Sequence, residues 1–290
     1  MNEPSVMVYL MTGFLDSGKT QFLKFTLAQD YFQIDGKTLL ILCEEGEEEY
    51  DPMEMLKYGV VIEKVEDQED LTGEWLEEMN QKHEPERVVV EYNGMWKVSD
   101  FEALKLPQGW GIEQKLTTVD ASTFQMYLTN LKPLFVEMVR GAELVLFNRC
   151  EEIAPLAGYR RSVKVVSPQA EVIFEDEEGE VENIFEDEVP YDVKTPVIKI
   201  EKEDYGIWYV DMMENPERYK GKVVEFTAKV VKPRSFPSKV FLPGRMAMTC
   251  CADDTTFLGY VCKSPYAPKL KPGDWVKVRA KVGFANLSVY

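Results

Sequence analysis

Gly13-Phe14-Leu15-Asp16-Ser17-Gly18-Lys19-Thr20 follows directly on the apolar run Val6-Met7-Val8-Tyr9-Leu10-Met11 and leads into a helix-compatible stretch, Thr20 to Gln29. A strand that ends in a glycine-punctuated loop and passes into a helix turns consecutive backbone N–H groups, and the helix N-terminus, toward one anion. At this spacing Gly13, Asp16, Ser17 and Gly18 form the cradle. Lys19 is expected to reach the β- and γ-phosphates of a nucleotide, and the Thr20 hydroxyl to hold Mg²⁺. The plain alternative, a chance match in an ordinary strand–turn–helix, is weakened because both flanking elements are right.

Working outward, strand-like apolar runs alternate with helix-compatible segments: Val6 to Met11, Thr38 to Cys43, Arg87 to Glu91, Leu116 to Asp120, Leu144 to Asn148 and Val163 to Val166. Such alternation predicts an α/β fold, a mostly parallel sheet flanked by helices, with ligands collecting at the carboxyl ends of the strands. From Phe174 to Tyr191 the chain reads FEDEEGEVENIFEDEVPY, an acidic tract expected as an edge hairpin and linker. Beyond Thr195-Pro196 the pattern changes. One amphipathic helix, Tyr205 to Asn215, precedes five short β-rich runs separated by Pro and Gly: Lys222 to Val231, Val240 to Leu242, Ala247 to Cys251, Phe257 to Lys263 and Trp275 to Val282. That spacing predicts a small β-barrel of OB type. The domains expected are residues 1–190 and 196–290.

Charge follows the same division. The 290 residues carry a formal net charge of −18, made up of 17 Lys+Arg against 41 Asp+Glu in residues 1–195 and 16 against 10 in residues 196–290. The acidic front argues against nucleic-acid binding there. No run approaches the ~20 apolar residues needed to cross a bilayer, and Met1-Asn2-Glu3-Pro4 shows no basic leader, so no membrane partner is expected. The five cysteines, Cys43, Cys150, Cys250, Cys251 and Cys262, are an odd number without a disulfide-like framework, which points to a reducing, cytoplasmic setting.

Phosphoryl chemistry also needs an acid to fix Mg²⁺. Glu91 ends the run Arg87-Val88-Val89-Val90 and is followed by Tyr92-Asn93-Gly94, a Walker-B-like arrangement. Glu44 ends the preceding strand, and Asp51 follows after a short acidic loop. Each carboxylate is a candidate for Mg²⁺ or its water shell. Catalysis is expected to rest on Lys19, Glu91 and Glu44. Base recognition is expected from Asn148-Arg149-Cys150-Glu151, where the Glu151 carboxylate faces guanine N–H donors and Arg149 stacks on the ring. GTP is therefore expected ahead of ATP.

Taken together, GFLDSGKTQ, CEEGEEEYD, EYNG, Val119-Asp120-Ala121 and Asn148-Arg149-Cys150-Glu151 resemble, in order and spacing, GFLGAGKTT, NEFGEVGID, IETTG, VDA and NKxD of the CobW/HypB/UreG P-loop GTPases, in the G3E or CobW-like branch. The resemblance covers residues 1 to about 190 and implies a metallochaperone-type GTPase that serves a protein client. Asp16 stands where that family has Gly, and Cys43 where it has Asn. The family's Cys-x-Cys-Cys metal motif has no counterpart, and His83 is the only histidine.

The tail resembles the C-terminal domain of DUF1980 or YcgQ-type proteins through Asn215-Pro216, Tyr219-Lys220-Gly221-Lys222, Arg245, Cys250-Cys251-Ala252-Asp253-Asp254 and Trp275-Val276. Cys250, Cys251 and Cys262 offer soft ligands for Zn²⁺. Adjacent cysteines on a strand point to opposite faces, so a tail that folds without metal is the expectation. Three functions remain open at this stage: a slow Mg²⁺-dependent GTPase switch in metal homeostasis, self-associating as a homodimer or acting on a client; a nucleotide-binding scaffold without turnover; and a tail that binds single-stranded nucleic acid through Lys232, Arg234, Phe236 and Lys239.

Overall fold

The computed structural model describes residues 4–151, 153, 156–181, 189–248 and 255–283. The chain divides into two compact units, Met1–Ile184 and Phe185–Tyr290.

In the first unit the strands are β1 (Val6–Thr12), β2 (Thr38–Leu42), β3 (Val60–Lys64), β4 (Arg87–Glu91), β5 (Trp110–Asp120), β6 (Leu144–Asn148), β7 (Glu171–Asp176) and β8 (Gly179–Glu180). They form one sheet in the order β3-β2-β4-β1-β5-β6-β7-β8, parallel throughout except for the β7–β8 hairpin. The helices are α1 (Lys19–Leu27), α2 (Pro52–Lys57), α3 (Gly73–His83), α4 (Val98–Glu102), α5 (Phe124–Asn130), α6 (Lys132–Val139) and α7 (Leu156–Val166). Strands covered on both faces read as unbroken apolar runs, and every residue of β2 and β4 is buried. Alternation divides their side chains between two cores. Val8, Leu10, Ile41, Val88 and Val90 join one, whereas Met11, Leu40, Leu42 and Val89 pack with Leu23 and Leu27 of α1 in the other. The helix that opens at Lys19 is thereby pinned to the sheet.

One expectation for this unit is corrected, and one strand had not been foreseen. Val163 to Val166 is not a strand but the last turn of α7, because Leu156, Tyr159, Val163 and Val166 recur at helical spacing and Tyr159 and Val163 are buried. The strand in that position of the sheet is β7, in which Val172 and Phe174 alternate inward. The half-buried edge strand β3 also has no counterpart among the expected runs.

The second unit contains β9 (Val197–Lys199), α8 (Tyr205–Glu214), α9 (Pro216–Tyr219), β10 (Val223–Val231), β11 (Val240–Met248), β12 (Thr255–Gly259), β13 (Cys262–Lys263) and β14 (Trp275–Lys281). Trp208, Tyr219, Ile198, Phe226 and Leu258 centre its core. The expected OB-type barrel is not what the pairing describes. The sheet runs β12-β11-β10-β14, with β13 on β11 and β9 on β10. It is mixed, since β9 runs parallel to β10, and among the described residues no pairing closes β12 onto β14. The physical reason is at β10, which β14 accompanies over Val223–Lys229, while β9 takes up Val223–Glu225 and leaves β11 only Lys229–Val231.

A buried polar knot holds α8 to α9. Tyr219 is fully buried, and its hydroxyl meets that of Tyr191 at 2.7 Å and a carboxylate oxygen of Asp211. The Asp211 carboxylate also accepts from Arg218 Nη1 at 2.9 and 3.0 Å.

Candidate nucleotide-binding site

At the carboxyl end of β1 the chain turns through Gly13 (φ 144°), Asp16 (φ 60°) and Gly18 (φ 91°) before α1 begins. Gly18 is required twice over: its φ is left-handed, and a Cβ there would lie 2.4 Å from Asn148 Nδ2. Asp16 is a non-glycine residue that tolerates the left-handed conformation. No side chain caps α1 at Gly18, so its first-turn N–H groups, which have no acceptor within the helix, face the cleft. Behind the loop, Ser17 Oγ lies 2.9 Å from Thr118 Oγ1.

Lys19 folds back over this loop. Its buried ammonium donates to the carbonyls of Gly13 (2.9 Å) and Phe14 (3.0 Å) and to Glu44 Oε2 (2.5 Å). The other Glu44 oxygen accepts from the Gly94 amide at 3.3 Å. Gly94 can approach this closely because it has no side chain, a Cβ there falling 2.5 Å from the Gly13 carbonyl.

Glu91, at the end of β4, is 3% exposed. Its Oε1 accepts from Thr20 Oγ1 at 2.7 Å and its Oε2 from the Tyr50 hydroxyl at 2.5 Å. Burial holds its pKa above the usual carboxylate value, assisted by the Glu44 charge and opposed by the hydrogen bonds from Tyr50 and Thr20 and the charge of Lys19. The structure thus brings Lys19, Thr20, Glu44 and Glu91 together around one cleft. Asp51 does not join them: its Oδ1 accepts from the amides of Met53 (2.8 Å) and Glu54 (3.4 Å) as the N-cap of α2. Cys43, in the family's Asn position, is a buried thiol whose pKa is driven up by burial and then by the charges of Glu91 and Glu44.

The third part of the site lies after β6. Asn148 Nδ2 donates to the Ser17 carbonyl at 2.8 Å, and its buried Oδ1 has no protein partner. Arg149 (φ 53°) donates to the Asp16 carbonyl at 2.9 Å and to Asp120 Oδ2 at 2.5 Å. Burial works against the Asp120 charge, yet the hydrogen bonds from Ser122 and Arg149 win and hold its pKa below the usual range. Cys150 is buried, its thiol pushed up to about 12 by burial, and Glu151 is exposed.

Sequence reasoning missed Tyr50 on Glu91 and placed no site role on Asp120. The signal for Tyr50 was present, since it is the one aromatic residue in the acidic run from Glu44 to Asp51. In the tail, Cys250 and Cys251 lie outside the described residues, and burial raises the Cys262 thiol. Lys232, one of the residues read as facing nucleic acid, donates instead to the carbonyls of Ala267 (2.9 Å) and Leu270 (3.3 Å).

The residues fit a Mg²⁺-nucleotide. An uncapped helix start, a left-handed glycine beneath it and a lysine over the loop form an anion cradle. Mg²⁺ usually takes only one or two protein oxygens besides phosphate and water, and the Thr20–Glu91 pair would meet that sparse requirement. Among the described residues no group of three or more His, Cys, Asp or Glu side chains is placed to hold a metal ion.

Fold and loop together define a P-loop nucleotide-binding protein. The family described as CobW/HypB/UreG, nucleotide-binding domain, matches residues 7–174, more than half of the chain, and the DUF1980 C-terminal domain matches residues 177–288. The chain belongs to the CobW/HypB/UreG family. No curated protein matches it. Among solved structures, the hydrogenase maturation factor HypB from Archaeoglobus fulgidus is similar at 18% identity and a TM-score of 0.44, over 59% of this chain and 82% of that one. The Zn(II)-bound YjiA GTPase from E. coli is similar at 16% identity and 0.46, over 92% and 91%. A Zn(II)-bound triple mutant of YjiA gives 17% and 0.47, over 96% and 94%. At these values the three likenesses carry no weight for function. Among the described residues no helix is long and apolar enough to cross a membrane.

Proposed function

We propose that this protein is a Mg²⁺-dependent GTP-binding switch with slow turnover. The observation that supports this best is the convergence of Lys19, Thr20 and Glu91 on one loop, with Tyr50 reaching Glu91 from the acidic segment after β2. The loop amides and Lys19 bind phosphates, Thr20 and Glu91 hold the metal, and Asn148 braces the loop from β6. Mg²⁺, when bound, supplies charge neutralisation in a cleft whose lining sets Asp16, Glu44, Glu47, Glu48 and Glu91 against Lys19 and Arg149. Movement of the segment around Tyr50 is the switch, and the tail, residues 196–290, passes its state to a protein client. Family membership suggests metal homeostasis as the setting.

A nucleotide-binding scaffold without turnover is the second reading, favoured by Asp16 within the loop and by the commitment of Arg149 to Asp120. Titration of the full chain with labelled GTP and ATP and their non-hydrolysable analogues, with and without Mg²⁺, tests the proposal, with phosphate release followed alongside. Mg²⁺-dependent GTP binding with measurable release supports the switch; binding without release supports the scaffold. Unchanged triphosphate affinity in Lys19→Ala removes the loop from the argument.

A further inference from the structure

An ammonium group has three N–H donors, and the three donors of Lys19 match three acceptors: two carbonyls of its own loop and Glu44 Oε2. A phosphate oxygen can reach Lys19 only by replacing one of these. The Gly13 and Phe14 carbonyls belong to the loop that must stay folded around the phosphates, so the replaceable partner is Glu44. Its second oxygen meets the Gly94 amide, which is backed against Gly13. One carboxylate therefore spans a cation and a backbone N–H at the mouth of the cradle, as an oxygen pair of a terminal phosphate would. The rest of the cradle, the N–H groups of the loop and of the first turn of α1, is not used by Glu44.

We infer that Glu44 is the specificity-determining residue of this site: its carboxylate takes the place of a third phosphate on Lys19, so that the loop and helix N–H groups hold a nucleoside diphosphate with Glu44 seated, and a triphosphate, which claims Lys19, enters only when Glu44 is expelled. This rests on the nucleotide-binding reading above. The cleft offers an expelled charge little elsewhere to go. Its other cation, Arg149, is held by Asp120 at 2.5 Å, and Glu47 and Glu48 line the same mouth. Triphosphate entry therefore moves Glu44 outward and draws on the segment that carries Tyr50. The same displacement supplies the switch with its difference between two nucleotide states.

The test is calorimetric titration of the full chain, its Glu44→Ala and Glu44→Gln variants and Lys19→Ala with GDP and a non-hydrolysable GTP analogue in Mg²⁺. Removing one charge-assisted competitor is expected to raise triphosphate affinity by about tenfold or more in Glu44→Ala. Diphosphate affinity is expected to change by less than about threefold. Glu44→Gln keeps the shape and loses the charge, and is expected to fall between; it also carries the test if the alanine variant does not fold. A fall in triphosphate affinity, as for a lost metal ligand, or an equal gain for both nucleotides overturns the inference. Absence of both nucleotides from the folded wild type and variants alike overturns the nucleotide reading and this one with it. Nucleotide binding that Lys19→Ala abolishes, without discrimination by Glu44, overturns this inference alone.

Discussion

Tyr50→Phe isolates a single oxygen at the centre of the site. In the wild type that hydroxyl donates to a Glu91 carboxylate that is 3% exposed, with Thr20 as the partner of its other oxygen. Hydrogen bonds to charged groups contribute about 1.5–3 kcal/mol, against about 0.5–1.5 kcal/mol between neutral groups. The loss in the first unit should therefore be about 1.5–3 kcal/mol where Glu91 is ionised and at most about half of that where it is protonated. Burial already raises the Glu91 pKa in the folded protein. A carboxylate raised in this way binds its proton more tightly folded than unfolded, so it favours folding at low pH and withdraws that support as pH rises from the unfolded to the folded pKa. Removing the phenol raises the folded value further and widens this window. Urea denaturation of the full chain without nucleotide, followed by circular dichroism from acid to neutral pH, reads the effect on the first unit's transition. The difference between variant and wild type should grow with pH. A difference that is constant across the range, or absent at neutral pH, would refute the assignment of Tyr50 as a donor that favours the charged form of Glu91.

Glu151→Ala should weaken guanine nucleotides about tenfold more than adenine ones, because only guanine offers a carboxylate paired N–H donors; equal losses in a competition titration would make the segment after β6 a turn and nothing more. Tyr219→Phe removes the hydroxyl between Tyr191 and Asp211 and should destabilise the second unit by about 1–3 kcal/mol while leaving nucleotide affinity unchanged, as thermal unfolding and titration of the same sample would reveal. Chelation should leave the stability of the tail untouched, since Cys250 and Cys251 are adjacent in the sequence, a spacing that serves one ion poorly. Elemental analysis giving about one zinc per chain, lost together with stability on chelation, would be the contrary result.

The parts of the first unit that were legible in the sequence share one property: their signal is local. The loop declares itself through Gly13, Gly18, Lys19 and Thr20 at fixed spacing, and β2 and β4 through unbroken apolar runs that only strands covered on both faces can bury. β3 was missed although Val60-Val61-Ile62 is as long as the run Val88-Val89-Val90, because it passes straight into Glu63-Lys64 and is only half-buried at the sheet edge. Val163 to Val166 misled because β-branched residues favour strands, while the spacing of Leu156, Tyr159 and Val163 set a helix that tertiary burial then selected. In the tail, strand positions were mostly readable but barrel closure was not. Closure depends on which strand occupies each side of β10, and the three residues of β9 that intervene carry little pattern of their own. The site divides in the same way. Glu91 ends β4 and Glu44 stands two residues beyond β2, places that a local reading reaches, whereas Tyr50 on Glu91 and Arg149 on Asp120 join residues 41 and 29 positions apart.

The loop itself is braced from far along the chain. Ser17 Oγ meets Thr118, 101 residues away; the Ser17 carbonyl is held by Asn148, 131 away; and the Asp16 carbonyl by Arg149, 133 away. Contacts of such separation form slowly, because the entropy of closing the intervening loop must be overcome before they return anything. On a ribosome, β1 and the loop emerge before β5 and β6 and acquire their full set of struts only when those strands have followed. A growing chain that ends before Asn148 thus exposes the motif without the cradle, and nucleotide, which stabilises only what it binds, would draw the equilibrium toward the folded unit only once synthesis has passed that point.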